Sequence, residues 1–249
     1  VKTIKLEKDI LVYQFEPEEN RILGNNILMI INGDECLVID TGYPRHFKKV
    51  LEDINKRNLK ITHVILSHFH PDHIGGFPSI HEAVIYGSVF AEKTLQLFGE
   101  DYQTCKPNVL VHGNMSIEFG DHKIDMELNP GHSIDGLLTI IDNLYMFVGD
   151  DIMFDNFGNS VIPFLAEHNF EQHILSVTKI LELHKNKIII PGHGKIIEDS
   201  DFFRSELNKR LSYLNFFVKN KEASYNDFFK STRINFLSEK WHNYNKVKD

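Results

Sequence analysis

The sequence predicts an α+β protein in which two β-sheets carry helices on their outer faces. Three observations point there. A strand–strand–helix order occurs in both halves of the chain. The longer helical stretches are apolar on one face only. The strands are short, β-branched runs punctuated by turn signals such as Asn32-Gly33 and Asp142-Asn143. With 249 residues, 42% hydrophobic and 25% charged, the chain can bury one large core. A single domain over residues 1–249 is therefore expected, with residues 201–249 as a helical extension packed on it.

Ile10–Phe15 and Asn26–Ile31 read as strands. Asn32-Gly33 predicts a two-residue type I′ turn, with positive φ at both positions, into a returning strand Glu35–Ile39. After Asp40-Thr41-Gly42, the segment from Pro44 to Arg57 places Phe47, Val50, Leu51 and Ile54 on one helical face. Residues 61–67 form a buried-type strand, and Phe77–Glu82 a short helix. Val84–Tyr86 is a brief strand, Ser88 is placed to cap a helix running to about Phe98, and residues 99–108 are loop. Strands follow at Val109–His112, Ser116–Phe119, Lys123–Leu128, Leu137–Ile141 and Tyr145–Val148. Residues 151–168 are irregular. A helix resumes near Phe170, with Ile174, Val177 and Leu181 in register, and Lys187–Ile190 is the last strand. Phe203, Leu207, Leu211, Leu214 and Val218 mark a long helix, and Tyr225–Trp241 a less regular second one.

The net charge of −8 and the lack of any Lys/Arg-rich segment with interleaved aromatics argue against a nucleic-acid partner. Cys36 lies in an apolar run and reads as a buried free thiol; with Cys105 in a loop, no disulfide scaffold is implied. No apolar run reaches the length of a membrane span, and the first residues carry no leader pattern, so a cytoplasmic location is the default.

The chemistry concentrates at residues 67–76, SHFHPDHIGG. The chain has 14 histidines, and a lone histidine in such a chain is a surface or core residue. Three histidines and an aspartate within residues 68–73, at the exit of a buried strand, are instead a ligand loop. Gly75-Gly76 then allows close approach of the chain that follows. Three more fragments share the pattern of an apolar strand with a polar residue at its exit: residues 129–133 (NPGHS), 147–151 (FVGDD) and 191–194 (PGHG). His68, His70, Asp72, His73, His132, Asp150 and His193 offer only imidazole and carboxylate, a donor set that suits zinc, iron or manganese. His63, His112, His122 and His184 lack such settings and read as structural or surface residues.

With these motifs the chain resembles the metallo-β-lactamase superfamily over roughly residues 10–200. The resemblance implies a four-layer αββα sandwich with a two-metal site between the sheet edges. By that resemblance His68, His70 and His132 hold one metal, Asp72, His73 and His193 the other, and Asp150 bridges them. Asp150 fits the family spacing better than Asp151, which reads as solvated or as a helix cap. Asp40 matches an aspartate that orients a ligand from behind, where a carboxylate fixes an imidazole tautomer. Two divalent transition metals are implied, zinc first, with iron or manganese as alternatives. Such a pair makes hydroxide available at neutral pH, and Asp72 orients it and shuttles its proton.

No cysteine stands at the Asp150 position, which sets the chain apart from lactamases that use one there. The ligand set looks like that of glyoxalase II, thioesterases and N-acyl homoserine lactonases, so a small-molecule thioester or lactone is the expected substrate. Those lactonases place a tyrosine three residues after the bridging aspartate, where this chain has Met153; Tyr43 or Tyr145 would have to approach from elsewhere. Glutathione-binding cations would be sought among Lys209, Arg210 and Lys219. A phosphodiesterase or RNA-processing nuclease, a β-lactamase, and a metal-stabilised binding protein remain the alternatives. Phe154, Phe157, Phe164 and Leu165 are candidates for a lipophilic acyl pocket. Phe216, Phe217, Phe228, Phe229 and Trp241 would extend it or form a homodimer face.

Overall fold

The computed structural model describes residues 1–98, 102–165 and 169–246. Seven strands form one sheet: β1 (Lys2–Lys5), β2 (Ile10–Gln14), β3 (Asn26–Asn32), β4 (Glu35–Ile39), β5 (Lys60–Ile65), β6 (Val84–Ser88) and β7 (Val109–Val111), in that spatial order. Pairing is antiparallel from β1 to β4 and parallel from β4 to β7. The second sheet contains β8 (Asn114–Phe119), β9 (His122–Leu128), β10 (Leu137–Ile141), β11 (Tyr145–Gly149) and β12 (Ile188–Pro191), ordered β12-β11-β10-β9-β8. Only β11 and β12 run parallel there.

The helices are α1 (Pro44–Lys56), α2 (Pro71–Ile74), α3 (Ala91–Leu95), α4 (Phe170–Leu183), α5 (Ser200–Lys219), α6 (Tyr225–Thr232) and α7 (His242–Asn245). Alternation along the strands sorts the core into layers. Ile10, Val12, Leu28 and Ile30 face Ile124, Met126, Leu137 and Phe147 between the sheets. Leu11, Tyr13, Ile27 and Met29 point the other way, onto Phe47, Val50 and Ile54 of α1. On the far side, Leu138, Met146 and Val148 pack against Val177 and Ile180 of α4 and Phe203, Leu207 and Leu214 of α5. The result is the αββα sandwich. Both faces of each sheet are covered, so β2, β10 and β11 are buried along their whole length. Each buried Val, Leu, Ile, Phe or Met side chain in them contributes about 1.5–3 kcal/mol of transfer free energy.

Several local details differ from the sequence expectation. In the β3–β4 hairpin Asn32 pairs with Glu35, so the loop is Gly33-Asp34, and of these only Gly33 has positive φ, 62°. The turn is therefore Gly-first, not type I′ on Asn32-Gly33. The Asp142-Asn143 turn does take positive φ at both residues, 52° and 56°. Ser88 closes β6, and its hydroxyl accepts from Phe90 N–H at 3.1 Å, ahead of a helix that spans only Ala91–Leu95. The expected 99–108 loop falls partly on residues outside those described. Phe77–Ser79 is a single 3₁₀ turn. The last helical region breaks at Arg233, in the left-handed conformation, and resumes as a 3₁₀ turn at Glu239–Trp241. Among the described residues no helix is long and apolar enough to cross a membrane.

Candidate metal centre

The predicted site residues converge at one end of the sandwich, beyond the carboxyl ends of β4, β5, β11 and β12. β5 delivers His68 and His70, and the short α2, started by Pro71, carries Asp72 and His73. Gly76 has an ordinary φ; its value is steric, since a Cβ there would sit 2.3 Å from the Phe47 ring. His132 lies between β9 and β10, Asp150 follows β11, and His193 follows β12. Gly192 keeps that exit tight, since a Cβ would fall 2.5 Å from Asp150 Oδ1. β3 is stitched across the gap: Asn26 N–H donates to Gly192 O at 2.8 Å, and Asn25 Nδ2 to Asp72 O at 3.1 Å.

Ring nitrogens and carboxylate oxygens converge on a common space. His68 Nε2 and His132 Nε2 each lie 3.1 Å from His70 Nδ1. His193 Nε2 is 3.3 Å from Asp72 Oδ2 and 3.1 Å from Asp150 Oδ2. Asp150 stands between the two groups, with Oδ1 3.3 Å from His73 Nε2 and Oδ2 3.7 Å from His132 Nε2. Ligands about 2.0–2.1 Å from a tetrahedral ion lie about 3.4 Å apart, so this spacing fits metal ligation. Among the described residues three groupings can hold an ion: His68, His70 and His132; His68, His73 and Asp150; Asp72, His73 and His193. His73 Nε2 and Asp150 Oδ1 are buried with no hydrogen-bond partner among the described residues. Such orphaned atoms each cost about 1–3 kcal/mol, which ligation removes.

Four of these histidines have the opposite ring nitrogen engaged. His73 Nδ1 donates to Asp40 Oδ2 at 2.7 Å, His132 Nδ1 to Phe164 O at 2.8 Å, and His193 Nδ1 to Gly24 O at 3.1 Å. His68 Nδ1 lies 3.1 Å from Ser67 Oγ. These bonds fix the tautomers that leave Nε2 a lone pair facing the cluster. For the protein groups alone, burial drives His68 well down and His70 to about 3, and lowers His132. At His73 and His193 burial also opposes charge, but the carboxylates of Asp150 and Asp72 outweigh it, raising His193 to about 10. Asp150 itself is held well below the usual range: burial pushes it up, and His193 and His73 more than reverse that. Positive charge is favoured here, and a bound cation supplies it.

The family model of the metallo-β-lactamase superfamily matches residues 21–193. The chain belongs to that superfamily. Its similarity to a Drosophila melanogaster β-lactamase-like protein 2 homolog is 27% identity over 82% of this chain and 71% of the relative. A lactamase-like protein, nscB, of Aspergillus fumigatus is 24% identical over 83% of this chain and 60% of its own length. The hydroxyacylglutathione hydrolase of Serratia proteamaculans is 27% identical over 74% of this chain and 68% of the relative. The chain thus spans between 60% and 71% of these three relatives. In fold it is similar to the metallo-β-lactamase from Pontibacter korlensis, with TM-score 0.67, 17% identity, and coverage of 86% of this chain and 98% of that one. Superfamily membership and the clustered histidines and aspartates support a metal-dependent hydrolase.

A cavity of about 510 Å³ opens over the cluster, with His70, Asp72, His132, Asp150 and His193 on its floor. Its walls correct the expected pocket. Of the four aromatic and aliphatic candidates only Phe164 lines it. Phe154 and Leu165 are buried in the core under α5, and Phe157 is 84% exposed. The apolar wall comes instead from Ile22, Leu23, Met153 and Trp241. Tyr43 lines the cavity, whereas Tyr145 is bonded to Glu7 elsewhere. Lys209, Arg210 and Lys219 do not line it; Arg210 is buried against Glu206 and Met153 O. Arg21 and Lys240 are the cations at this cavity. Phe217 and Phe228 are core residues.

Asp151 is neither solvated nor a cap. It is buried, and accepts from Asn129 Nδ2 at 2.6 Å, His132 N–H at 3.0 Å and Ser176 Oγ at 3.3 Å, bracing the His132 loop. Asp135 does the same for the first loop, accepting Phe69 N–H at 2.9 Å. Neither role has a local sequence signature, since the bonded groups lie on separate loops. The four histidines read as structural or surface residues are so placed: His63 stacks near Tyr86, His122 pairs with Asp142, His184 Nδ1 meets Leu181 O, and His112 is exposed.

Proposed function

We propose that the chain hydrolyses a small thioester or lactone with two divalent cations, zinc in preference to iron or manganese. In this reading His68, His70 and His132 hold one cation, Asp72, His73 and His193 hold the other, and Asp150 lies across both. The position of Asp150 carries the proposal: Oδ1 lies 3.3 Å from His73 Nε2, and Oδ2 lies between His193 of the same group, at 3.1 Å, and His132 of the other, at 3.7 Å, at an open cavity. A structural site closes around four protein ligands and needs no such opening.

When bound, the pair supplies Lewis acidity toward a carbonyl oxygen and a water acidic enough to act as nucleophile at neutral pH. The chain's own residues do the rest. Asp72, the more accessible carboxylate, faces the cavity and is placed to hold the nucleophile's proton and pass it to the leaving group. Met153, Phe164 and Trp241 give an acyl chain an apolar wall and exclude water beside the carbonyl. Tyr43 offers a phenol to the polar end of the substrate. Its hydroxyl stays protonated because burial, and then Asp72, raise its pKa.

The test is a parallel hydrolysis assay of thioesters, acyl-homoserine lactones, β-lactams and phosphodiesters at defined metal content, with metal counted per chain. Turnover of a thioester or lactone with two metals is the expected result. Turnover confined to phosphodiesters overturns the carbonyl assignment, and a protein that takes up no metal overturns the mechanism.

A further inference from the structure

Asn245, near the end of the described chain, is tied by hydrogen bonds to the backbone beside His132. Its Oδ1 accepts from Leu165 N–H at 3.0 Å, and its Nδ2 donates to Pro163 O at 2.6 Å. One side-chain amide therefore brackets Phe164 from both sides, as a neighbouring strand would. Phe164 O is the acceptor for His132 Nδ1–H at 2.8 Å. This bond leaves His132 Nε2 as the lone-pair nitrogen, aimed at the cluster.

The amide is itself held by a polar chain whose directions are all determined. His242 Nε2–H donates to Ala223 O at 3.0 Å, so Nδ1 is the acceptor and takes the Tyr213 hydroxyl proton at 3.1 Å. The Tyr213 oxygen then accepts the second Asn245 Nδ2 proton at 2.9 Å. Tyr213, His242 and Asn245 are 0%, 2% and 0% exposed, so water cannot replace these bonds. Residues 160–165 belong to no named strand. Their support also comes from the C-terminal segment, through Ile162 N–H to Leu237 O at 3.1 Å and the Phe164 ring against Trp241.

We infer that Asn245 is a positioning residue for the metal centre: it fixes the Phe164 carbonyl that orients His132. The C-terminal segment is then part of the site it covers. This rests on His132 being a ligand, as proposed above, and the two ideas fail separately in the following experiment.

Metal affinity of the Asn245→Ala protein is measured by chelator competition, alongside the visible spectrum of the cobalt-loaded form. His132→Ala and Phe236→Leu, a core change in the same region, serve as controls. The expected result is about threefold to tenfold weaker binding at the His132 site, with an altered cobalt spectrum and an unchanged second site. Tyr213→Phe, which removes only a hydroxyl, produces the same change at smaller size and stands in if Asn245→Ala does not fold. If His132→Ala leaves metal binding intact, the ligand assignment falls. If His132→Ala weakens binding but neither Asn245→Ala nor Tyr213→Phe does, the positioning role falls. It falls equally if Phe236→Leu weakens metal binding as much as they do.

Discussion

His73 Nδ1 donates to Asp40 Oδ2 at 2.7 Å, and Asp40 reaches that position with its backbone at φ 60°. Its other bonds are to Ser67, from N–H to Oδ1 at 2.8 Å and from Oγ to Oδ2 at 2.7 Å. Three donors thus converge on one buried carboxylate at the end of β4. Aspartate and asparagine tolerate the left-handed conformation better than other non-glycine residues, so Asp40→Asn keeps the backbone. An amide cannot accept all three protons, however, because its NH₂ faces a donor. The expected outcome is about 10–100-fold weaker binding at the His73 site, with a smaller loss at the His132 site, which Asp40 reaches only through Ser67 Oγ and His68 Nδ1. Sequential metal titration followed by calorimetry reads the two affinities, and equal loss at both would contradict the separate roles.

Asp150 and His193 approach to 3.1 Å, yet Asp150 Oδ1 has no hydrogen-bond partner among the described residues. Asp150→Asn keeps the shape and halves the oxygen donors. Metal content is expected to fall from two per chain toward one, with hydrolysis reduced by at least about 100-fold. Asp151→Asn should act differently. Asp151 accepts protons from Asn129 and His132 N–H, so its loss lowers stability and loosens the loop while two metals still bind in excess metal. Elemental analysis of the two variants separates the bridging role from the bracing role.

The candidate ligands were legible because each sits in a distinctive local setting. His68, His70, Asp72 and His73 are neighbours in sequence, and His132 and His193 share a Pro-Gly-His context at strand ends. Most strands followed from short β-branched runs and turn residues, except for β1, which the sequence reading missed, and where pairing alone decides register, as at Gly33. The cavity wall was not legible. Phe154, Phe157, Phe164 and Leu165 lie in a stretch with no period, so nothing in their order separates the buried, exposed and pocket-facing members. Arg21, Tyr43, Lys240 and Trp241 meet there only through the fold, from positions far apart in the chain. Asn245 was invisible for the same reason.

Tyr43 stands at the start of α1 on the cavity wall, with Arg21 bonded to its hydroxyl. Met153 occupies the position where the lactonases resembled place a tyrosine, so the phenols on this wall are Tyr43 and Tyr244, and Tyr43 is the less exposed of the two. A hydrogen bond to a neutral substrate oxygen contributes about 0.5–1.5 kcal/mol, which is about twofold to tenfold in rate. Tyr43→Phe should lower kcat/KM by that factor without changing metal content. Arg21→Ala should give a smaller loss on an uncharged lactone than on a thioester with an anionic leaving group. Steady-state kinetics with the two substrates decides this, and identical losses would remove any charge-selective role for Arg21.

His173 of α4 is completely buried, and burial lowers its pKa from 6.5 to about 4. The folded state therefore binds a proton less readily than the unfolded chain. The stability this residue contributes is complete above pH 6.5 and is lost as pH falls toward 4. His46, buried against Phe15 and likewise lowered to about 4 by burial, acts in the same direction. Asp135 and Asp151, raised by burial to about 6, oppose it: their contribution is complete below pH 3.8 and is lost as pH rises through 6. Subtracting a His173→Leu variant cancels the groups remote from it, while Asp151, 3.8 Å from His173 Nδ1, is read together with the histidine. Between pH 7 and pH 5 the stability advantage of the native residue should shrink by about 2 kcal/mol. Urea unfolding of chelator-treated protein at both pH values measures it without a contribution from metal release. Parallel pH profiles for the two proteins would show that His173 is protonated as easily in the fold as outside it.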